Sequence, residues 1–510
     1  MKLVTARQMR EIDRITIAER GVPAAELMER AGQAVAREAL ERLHPDRVAI
    51  VTGKGNNAGD GFVAARALHQ ANVRTTLYLL RPPDELQGEA LAAWRAVPAP
   101  IERIVVQSPA DLARLGEHDL IIDAIFGTGI RGPVQEPWAS YIAAVNAAGA
   151  NILSIDIPSG LPGDPAEEPG PHVRSQLTVT IGLPKAGMLL GAGLRATGQV
   201  VVADIGFPRE LLEDPAITLN LMTAEEARAL LPPRDPAGHK GTFGRALILG
   251  GSEGMTGAAV LAARAAARSG AGLIYSAYPA PLGPIMESHL IEPVKLPLEG
   301  DERWFTPRHL EAVLEHAERM DAVALGPGIG TRKPTARFVQ AVLENVKAPM
   351  VVDADGLNLI AKRRVDLRRR PGPTVLTPHP AEAARLLELE TGEVVRRRLD
   401  VMTEFAARHN VVVVLKGAQT LTIAPDGQRT VNPTGNSGLA KGGSGDVLTG
   451  LIAGLLAQGL SALDAARLGV FLHGLSADVV AERISVRAML PSDLLDAFGT
   501  AFQRLERNAP

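Results

Sequence analysis

The chain has 510 residues and no cysteine. Disulfides, thiolate metal centres and cysteine nucleophiles are therefore excluded. A basic excess is also missing: 54 Lys and Arg stand against 57 Asp and Glu, a formal charge of -3. That balance argues against a dedicated nucleic-acid binder, which shows a basic surplus or stripe. The runs Arg368-Arg369-Arg370 and Arg396-Arg397-Arg398 read as solvated surface. No apolar run approaches the roughly 18 residues that cross a membrane. Residues 1–20 are amphipathic and charged throughout, without the apolar core of a signal peptide. A soluble cytoplasmic protein with no membrane partner is the expectation. Tyr and Phe are scarce while Ala, Arg, Pro and Leu abound. This fits a GC-rich or a heat-loving source without separating them.

What is present is an ordinary globular balance, 46% hydrophobic and 22% charged. The length exceeds one ordinary core, so at least two domains are expected. In the first part, strand signals fall at 47–52, 75–80, 120–125, 152–155, 177–181 and 200–203, with Ala-rich helical stretches such as 62–70 between them. Short apolar strands with helical crossovers predict an α/β fold with a mainly parallel sheet, covered on both faces. The pattern lapses across 208–236, which holds five prolines and a short helical signal at 224–231. A boundary near Leu219 gives domains of 1–218 and 219–510. A second series of strands follows at 246–249, 273–277, 322–325, 350–353, 374–376 and 411–415, and the tail after 443 is helical.

Three loops carry the first domain's chemistry. VTGKGNNAGDGF at 51–62 runs from a strand through a glycine-rich turn into a helix. Glycines let backbone N–H groups approach a ligand, and a helix N-terminus suits phosphate. The spacing is not G-x-G-x-x-G, and alone this loop is as well explained by a plain strand-to-helix turn. DAIFGTGIRGP at 123–133 and SIDIPSG at 154–160 also follow strands. In a parallel sheet all three emerge at one edge, bringing Asp60, Asp123 and Asp156 towards a shared site.

N-N-x-G-D-G, D-A-x-F-G-T-G and S-I-D-I-P-S-G, together with MREIDR and LMERAG at 27–32, resemble the NAD(P)H-hydrate epimerases over nearly all of residues 1–210. The resemblance implies a Rossmann-like three-layer sandwich that binds a potassium ion beside its nucleotide. Carried over by motif, Asn57, Asp123 and Ser159 hold potassium. Asn56, Asn57, Ala58, Gly59 and Asp60, with Gly127, Thr128, Gly129, Ile130, Arg131, Gly132 and Pro133, hold the hydrated nucleotide, NAD(P)HX. Asp156 contacts the altered ring and is the leading proton-transfer group, acting during ring opening or loss of water. Lys185 is a weaker candidate, read as a surface or phosphate-facing lysine. Relatives commonly carry Gly in place of Ala58, which would be strained if the loop needs positive φ there.

In the second domain the richest stretch is NSGLAKGGSGDVLTG at 436–450. Gly442, Gly443 and Gly445 place successive N–H groups at a helix start, an anion cradle. Asp446, on the first turn, can take a proton from a hydroxyl that attacks phosphorus. A helix-terminal charge would explain the carboxylate but not the glycines. G-x-G-D resembles the ribokinase-like superfamily. H-K-G-x-x-G at 239–244, T-G-A-A at 256–259, G-P-G-x-G at 326–330, D-A-D-G-L-N at 353–358 and T-P-H-P-x-E at 377–382 resemble the ADP-dependent NAD(P)H-hydrate dehydratases, over about 225–505. By motif, Ala258, Gly328, His379 and Asp446 face NAD(P)HX. Lys416, Gly417, Ala418, Gln419 and Thr420, with Asn436, Lys441, Gly442, Gly443, Ser444 and Gly445, hold ADP. Magnesium accompanies the diphosphate, with no protein ligand set readable. Met255 stands where many relatives have an aromatic residue.

Together the motifs imply an enzyme that epimerises hydrated NAD(P)H and dehydrates its S form at the expense of ADP, giving AMP and phosphate. Relatives form dimers or larger assemblies, so a homo-oligomer is expected. A ribokinase-type kinase for a vitamin-precursor alcohol is the alternative, and it leaves the front loops unexplained. A noncatalytic front module is the other.

Overall fold

The structure is a computed structural model that describes residues 1–130, 132–165 and 169–507. It divides into two compact units, Lys2–Ile217 and a second from Thr218 onward that also includes Met1.

The first unit is built on seven strands: β1 (Arg47–Thr52), β2 (Arg74–Leu79), β3 (Glu102–Val105), β4 (Leu120–Ala124), β5 (Asn151–Ile155), β6 (Leu177–Ile181) and β7 (Gln199–Ala203). They form one sheet in the order β3-β2-β1-β4-β5-β6-β7. Every pairing in it is parallel. The central strands are almost wholly buried, as their Val/Ile/Leu runs require of a sheet covered on both faces. Alternation divides them between two cores. Val48 and Ile50 face α2 (Ala24–Leu43) and α3 (Asn56–Gln70). Ala49 and Val51 pack with Tyr141 and Ile142 of α4 (Trp138–Ala147). The edge strand β3 is charged and largely exposed, which blunts pairing with another chain.

Strand order reverses between β1 and β4, and the crevice at their carboxyl ends is where such sheets take ligands. A Cβ on Gly53 would lie 2.2 Å from the Ile125 carbonyl oxygen, so only glycine lets these two strand ends close together. Ala58 lies inside α3 without positive φ, so no strain attends the alanine there.

The second unit contains β8 (Leu219–Leu221), β9 (Arg245–Leu249), β10 (Leu273–Pro279), β11 (Val294–Leu298), β12 (Ala322–Leu325), β13 (Met350–Val352), β14 (Thr374–Leu376), β15 (Val412–Leu415), β16 (Leu421–Ile423) and β17 (Arg429–Val431). The sheet order is β11-β10-β9-β12-β13-β14-β15-β16-β17-β8. Only the pairings of β16 with its two neighbours are antiparallel. One face is covered by α5 (Thr256–Arg268), α6 (Ser444–Ala457), α7 (Ala462–Arg483) and α8 (Pro491–Glu506), whose apolar residues join Ala246, Ile248, Ala324 and Val351 in one core. Here the order reverses between β9 and β12. The loops after them are tied by Gly251 N–H to the Pro327 carbonyl at 2.8 Å and Ser252 Oγ to the Gly328 carbonyl at 2.8 Å.

Neither arginine run is wholly the solvated surface it reads as. The Arg370 guanidinium turns inward and donates to the Val346 and Ala348 carbonyls. Arg398 is partly buried and donates to the Ala418 carbonyl at 3.4 Å.

Candidate active sites

In the first unit the crevice opens into a cavity of about 590 Å³. Its wall includes Asn56, Asn57 and Asp60 at the start of α3, and Gly127, Thr128, Gly129 and Ile130 after β4. Asp156 lines it from the turn after β5, and Lys185 from the segment after β6. Ala58, Gly59, Gly132 and Pro133 are not part of that wall. The first two are buried within α3, and the last two are exposed. Arg131 lies outside the described residues.

Asp156 is held under tension. Its φ of +65° is uncommon for a residue with a side chain, and such strain gathers at functional sites. Its backbone N–H donates to the Val179 carbonyl at 2.8 Å, and its Oδ1 accepts from Ile181 N–H at 3.1 Å. The Lys185 ammonium closes on the same oxygen. Lys185 is fully buried, which corrects the reading of it as a surface lysine. It also donates to Thr180 Oγ1 and the Ile181 carbonyl, both at 3.1 Å. The cause is the chain around it: residue 185 bridges Val4, with Val4 N–H on the Pro184 carbonyl and Ala186 N–H on the Val4 carbonyl. That bridge turns the side chain inwards.

Two further carboxyls share the cavity. Burial first, then the charges of Asp156 and Asp13, push Asp60 well above the usual carboxylate range. Burial and the Asp156 charge raise Asp13, on α1 (Ala6–Ala18), to about 6 against the pull of Lys185. Asp13 was missed as a site residue in the sequence, although it lies within the MREIDR motif.

Beneath the cavity the three oxygen-bearing residues converge. Asp123 is completely buried. It accepts from Ser154 Oγ at 2.9 Å, Ser159 N–H at 2.8 Å and Ser159 Oγ at 2.6 Å. Ser159 Oγ accepts from Phe126 N–H at 2.8 Å, and Asn57 Nδ2 donates to the Phe126 carbonyl at 3.1 Å. Burial raises the Asp123 carboxyl, and these hydrogen bonds oppose the rise. It has no ion-pair partner among the described residues.

In the second unit, Gly443 precedes α6 with φ +100°, a backbone state that glycine takes readily, and the Ser444 N–H that follows donates to the Lys441 carbonyl at 3.3 Å, which closes the turn into the helix. Asp446 follows on the first turn. Burial, then the neighbouring charge of Asp353, lift its carboxyl to about 7, with Lys416 pulling the other way. Lys416 Nζ lies 2.6 Å from Asp353 Oδ1 and 3.8 Å from Glu382 Oε2. Thr449 Oγ1 donates to the other Asp353 oxygen at 2.8 Å. Burial works against a charged Asp353, yet Lys416 and the hydroxyls keep it below the usual range. A Cβ on Gly445 would meet Lys416 Nζ at 3.1 Å and Asp353 Oδ2 at 3.3 Å, so the cradle and the ion pair are one assembly. Neither Asp353 nor Asp355 was singled out in the sequence beyond its motif. Ala354 between them has φ +50°, and Gln419 φ +56°, a second cluster of strained backbone.

The other predicted residues divide. Gly328 and Ala258 adjoin: a Cβ on Gly328 would lie 3.1 Å from that of Ala258. His379 is the N-cap of the helix Pro380–Leu387. Its Nδ1 accepts from Ala381 N–H at 3.2 Å and Glu382 N–H at 3.4 Å, and its Nε2 lies 3.4 Å from Glu382 Oε1. The Asn436 side chain is engaged with Asp478 at 2.9 Å and Gly438 N–H at 3.0 Å. Lys441 Nζ is committed to the Arg487 and Met489 carbonyls at 2.8 and 2.6 Å. These two side chains fix the loop that carries the glycines. Thr420 Oγ1 closes its own turn on the Gly417 carbonyl at 3.0 Å.

Fold and crevices define a class: a tandem α/β enzyme, a Rossmann-like sandwich followed by a ribokinase-like domain. A ribokinase-like superfamily protein from Enterococcus faecalis is similar in structure, with 24% identity and a TM-score of 0.50 over 56% of this chain and 96% of that one. The pattern of the YjeF-related protein N-terminus matches residues 24–187, and that of NAD(P)H-hydrate dehydratase matches 246–499. The bifunctional NAD(P)H-hydrate repair enzyme of Moorella thermoacetica is 40% identical over 99% of this chain and 97% of its own. That of Escherichia coli is 36% identical over 93% and 88%. The chain belongs to the bifunctional NAD(P)H-hydrate repair enzymes, and unites an NAD(P)H-hydrate epimerase with an NAD(P)H-hydrate dehydratase. Among the described residues, no helix is long and apolar enough to cross a membrane.

Proposed function

We propose that epimerisation occurs in the cavity around Asp156 and that ADP-dependent dehydration of the S epimer occurs at the mouth of α6, with Asp446 as base. The observation that carries this reading is Asp446 itself: a half-buried carboxylate on a glycine cradle, lifted to about 7, where it can both hold and release a proton near neutrality.

In the second site the ring hydroxyl of the hydrate attacks the β-phosphorus of ADP, and Asp446 takes the hydroxyl proton. The bond from phosphorus to the AMP oxygen breaks, so AMP leaves. Phosphate, now a good leaving group, departs with the ring C–O electron pair while a proton leaves the adjacent carbon, which restores the ring double bond. The N–H groups of Gly443, Gly445 and Asp446 receive the phosphate, and Lys416 stands beside them as a fixed positive charge. The turn Lys416–Thr420 and the loop from Asn436 to Gly445 hold the nucleotide, while Ala258, Gly328 and His379 form the substrate side. Magnesium belongs to the diphosphate in this reading. No group of three acidic or histidine side chains among the described residues could hold it.

In the first site Asn56, Asn57, Asp60 and the turn from Gly127 hold the hydrated nucleotide. Potassium fits Asn57, Asp123 and Ser159: the donors are oxygens, as a hard cation requires, and buried Asp123 has no other cation among the described residues. The ion supplies fixed positive charge beside the substrate. The cytoplasm, where reduced nicotinamide and adenine nucleotides occur together, is the proposed compartment.

Separated epimers test the reading. Asp156→Asn is expected to stop interconversion while S-form dehydration continues, and Asp446→Asn the reverse. Loss of dehydration in Asp156→Asn, or its retention in Asp446→Asn, would contradict it.

A further inference from the structure

The epimerase cavity holds more carboxyls than it can ionise comfortably. Asp13, Asp60, Glu89 and Asp156 line it, four acids against Arg10, Lys54 and Lys185. Lys185 is committed to Asp156. Asp60 is 7% exposed, yet its carboxyl makes no hydrogen bond and no ion pair among the described residues. The charged groups that line the cavity with it are Arg10 and Asp13 from α1, Lys54 after β1, Glu89 from the helix Gly88–Arg95, Asp156 and Lys185. None is a free cation for Asp60. Arg10 donates to the Thr128 carbonyl at 2.9 Å, and Lys54 pairs with Glu85 at 3.3 Å. On this wall α2 adds only Ala24, Leu27, Met28 and Ala31. A buried carboxyl without cation or donor holds its proton instead of its charge.

We propose that Asp60 is the acid of the epimerase, working opposite Asp156 as base, with Lys185 positioning Asp156. This rests on the placement of epimerisation in this cavity. Water added to a dihydronicotinamide puts its hydroxyl on the carbon next to the ring nitrogen, because the enamine is attacked there once its β-carbon is protonated. Inversion at that carbon needs the ring to open and reclose. Asp156 takes the hydroxyl proton, the oxygen lone pair forms a carbonyl, and the C–N bond breaks with its electron pair going to nitrogen. Asp60 gives its proton to that nitrogen. After rotation the nitrogen attacks the other face of the carbonyl, returning its proton to Asp60, while the new hydroxyl takes its proton from Asp156. Both carboxyls end as they began, so no proton has to be exchanged with solvent. The raised pKa of Asp60 has the sign this role demands. Asp13 adds negative charge that helps to hold the proton there.

The experiment is epimerisation kinetics with purified R and S hydrates of NADH, using the full chain. The wild-type rate first tests the placement, since a wild-type chain without interconversion defeats that reading independently of Asp60. Asp60→Asn keeps the shape and neutrality of the protonated acid but cannot give a proton. It should lower kcat by about 100-fold or more while KM changes little, the range expected for loss of one proton donor. Asp60→Glu should recover part of kcat. In the wild type kcat should fall as pH rises through the raised carboxyl pKa, and this limb should vanish in Asp60→Asn. A kcat for Asp60→Asn close to wild type overturns the proposal. So does an unchanged alkaline limb, which would assign the acid to another group. An equal loss in Asp60→Glu with a raised KM would make Asp60 a binding residue only and also overturn it.

Discussion

On the proposed mechanism dehydration should switch on across neutrality, because a base at Asp446 would act only when ionised. Burial and the Asp353 charge set its carboxyl at about 7. The ionised fraction is then about one-eleventh at pH 6 and about ten-elevenths at pH 8, so kcat/KM should rise about tenfold between them. The sign follows from the direction of the shift: a base with a raised pKa loses activity as pH falls through it. A diphosphate bound alongside adds negative charge, so the limb in kcat should lie at higher pH than that in kcat/KM, which reports the free enzyme. Asp353→Asn removes the charge that, after burial, does most to raise Asp446. Its limb should therefore move to lower pH. The assay is ADP-dependent recovery of reduced-nicotinamide absorbance from pure S hydrate at saturating magnesium. A kcat/KM profile that is flat from about pH 6 to 8, or an Asp353→Asn limb that moves to higher pH, would refute Asp446 as the base.

Two substitutions probe the assemblies around the carboxylates. Lys185→Met leaves Asp156 without its buried partner, which by analogy with other broken buried pairs costs about 3–5 kcal/mol. The melting transition of the epimerase domain should fall by roughly 6–20 °C in calorimetry, with epimerisation lost. Gly445→Ala puts a methyl group 3.1 Å from Lys416 Nζ, inside the cradle. It should raise the KM for ADP about tenfold, equivalent to about 1.4 kcal/mol, in an ADP titration at fixed hydrate.

The sheets were legible because central parallel strands are near-continuous apolar runs, and the ligand loops because glycine marks each strand end. What escaped lies at the sheet margins: β16, β17 and β8 form one end of the second sheet, the partly exposed β11 forms the other, and β3 is a charged edge of the first. Within the candidate sites, Asp446 and Asp156 could be singled out because each sits in its own motif. The charges that tune them could not. Asp353 meets Lys416 across 63 positions of sequence, and Lys185 meets Asp156 across 29. Lys185 looked like a surface or phosphate-facing lysine, since no local signal tells that a bridge to Val4 turns it inward. Arg370 escaped for the same reason, its guanidinium being held by carbonyls 22 and 24 residues earlier. Motifs reveal reacting groups, whereas pairing across a fold decides their charge.

The central claim is that one chain carries two consecutive activities. Its most direct test is recovery of NADH absorbance from a mixed-epimer sample of hydrated NADH with ADP, magnesium and potassium, on a timescale where the epimers do not interconvert unaided. Recovery should be complete and should require ADP. Recovery that stops at the fraction present as the S epimer would contradict the epimerase, and no recovery with either ADP or ATP would contradict the dehydratase.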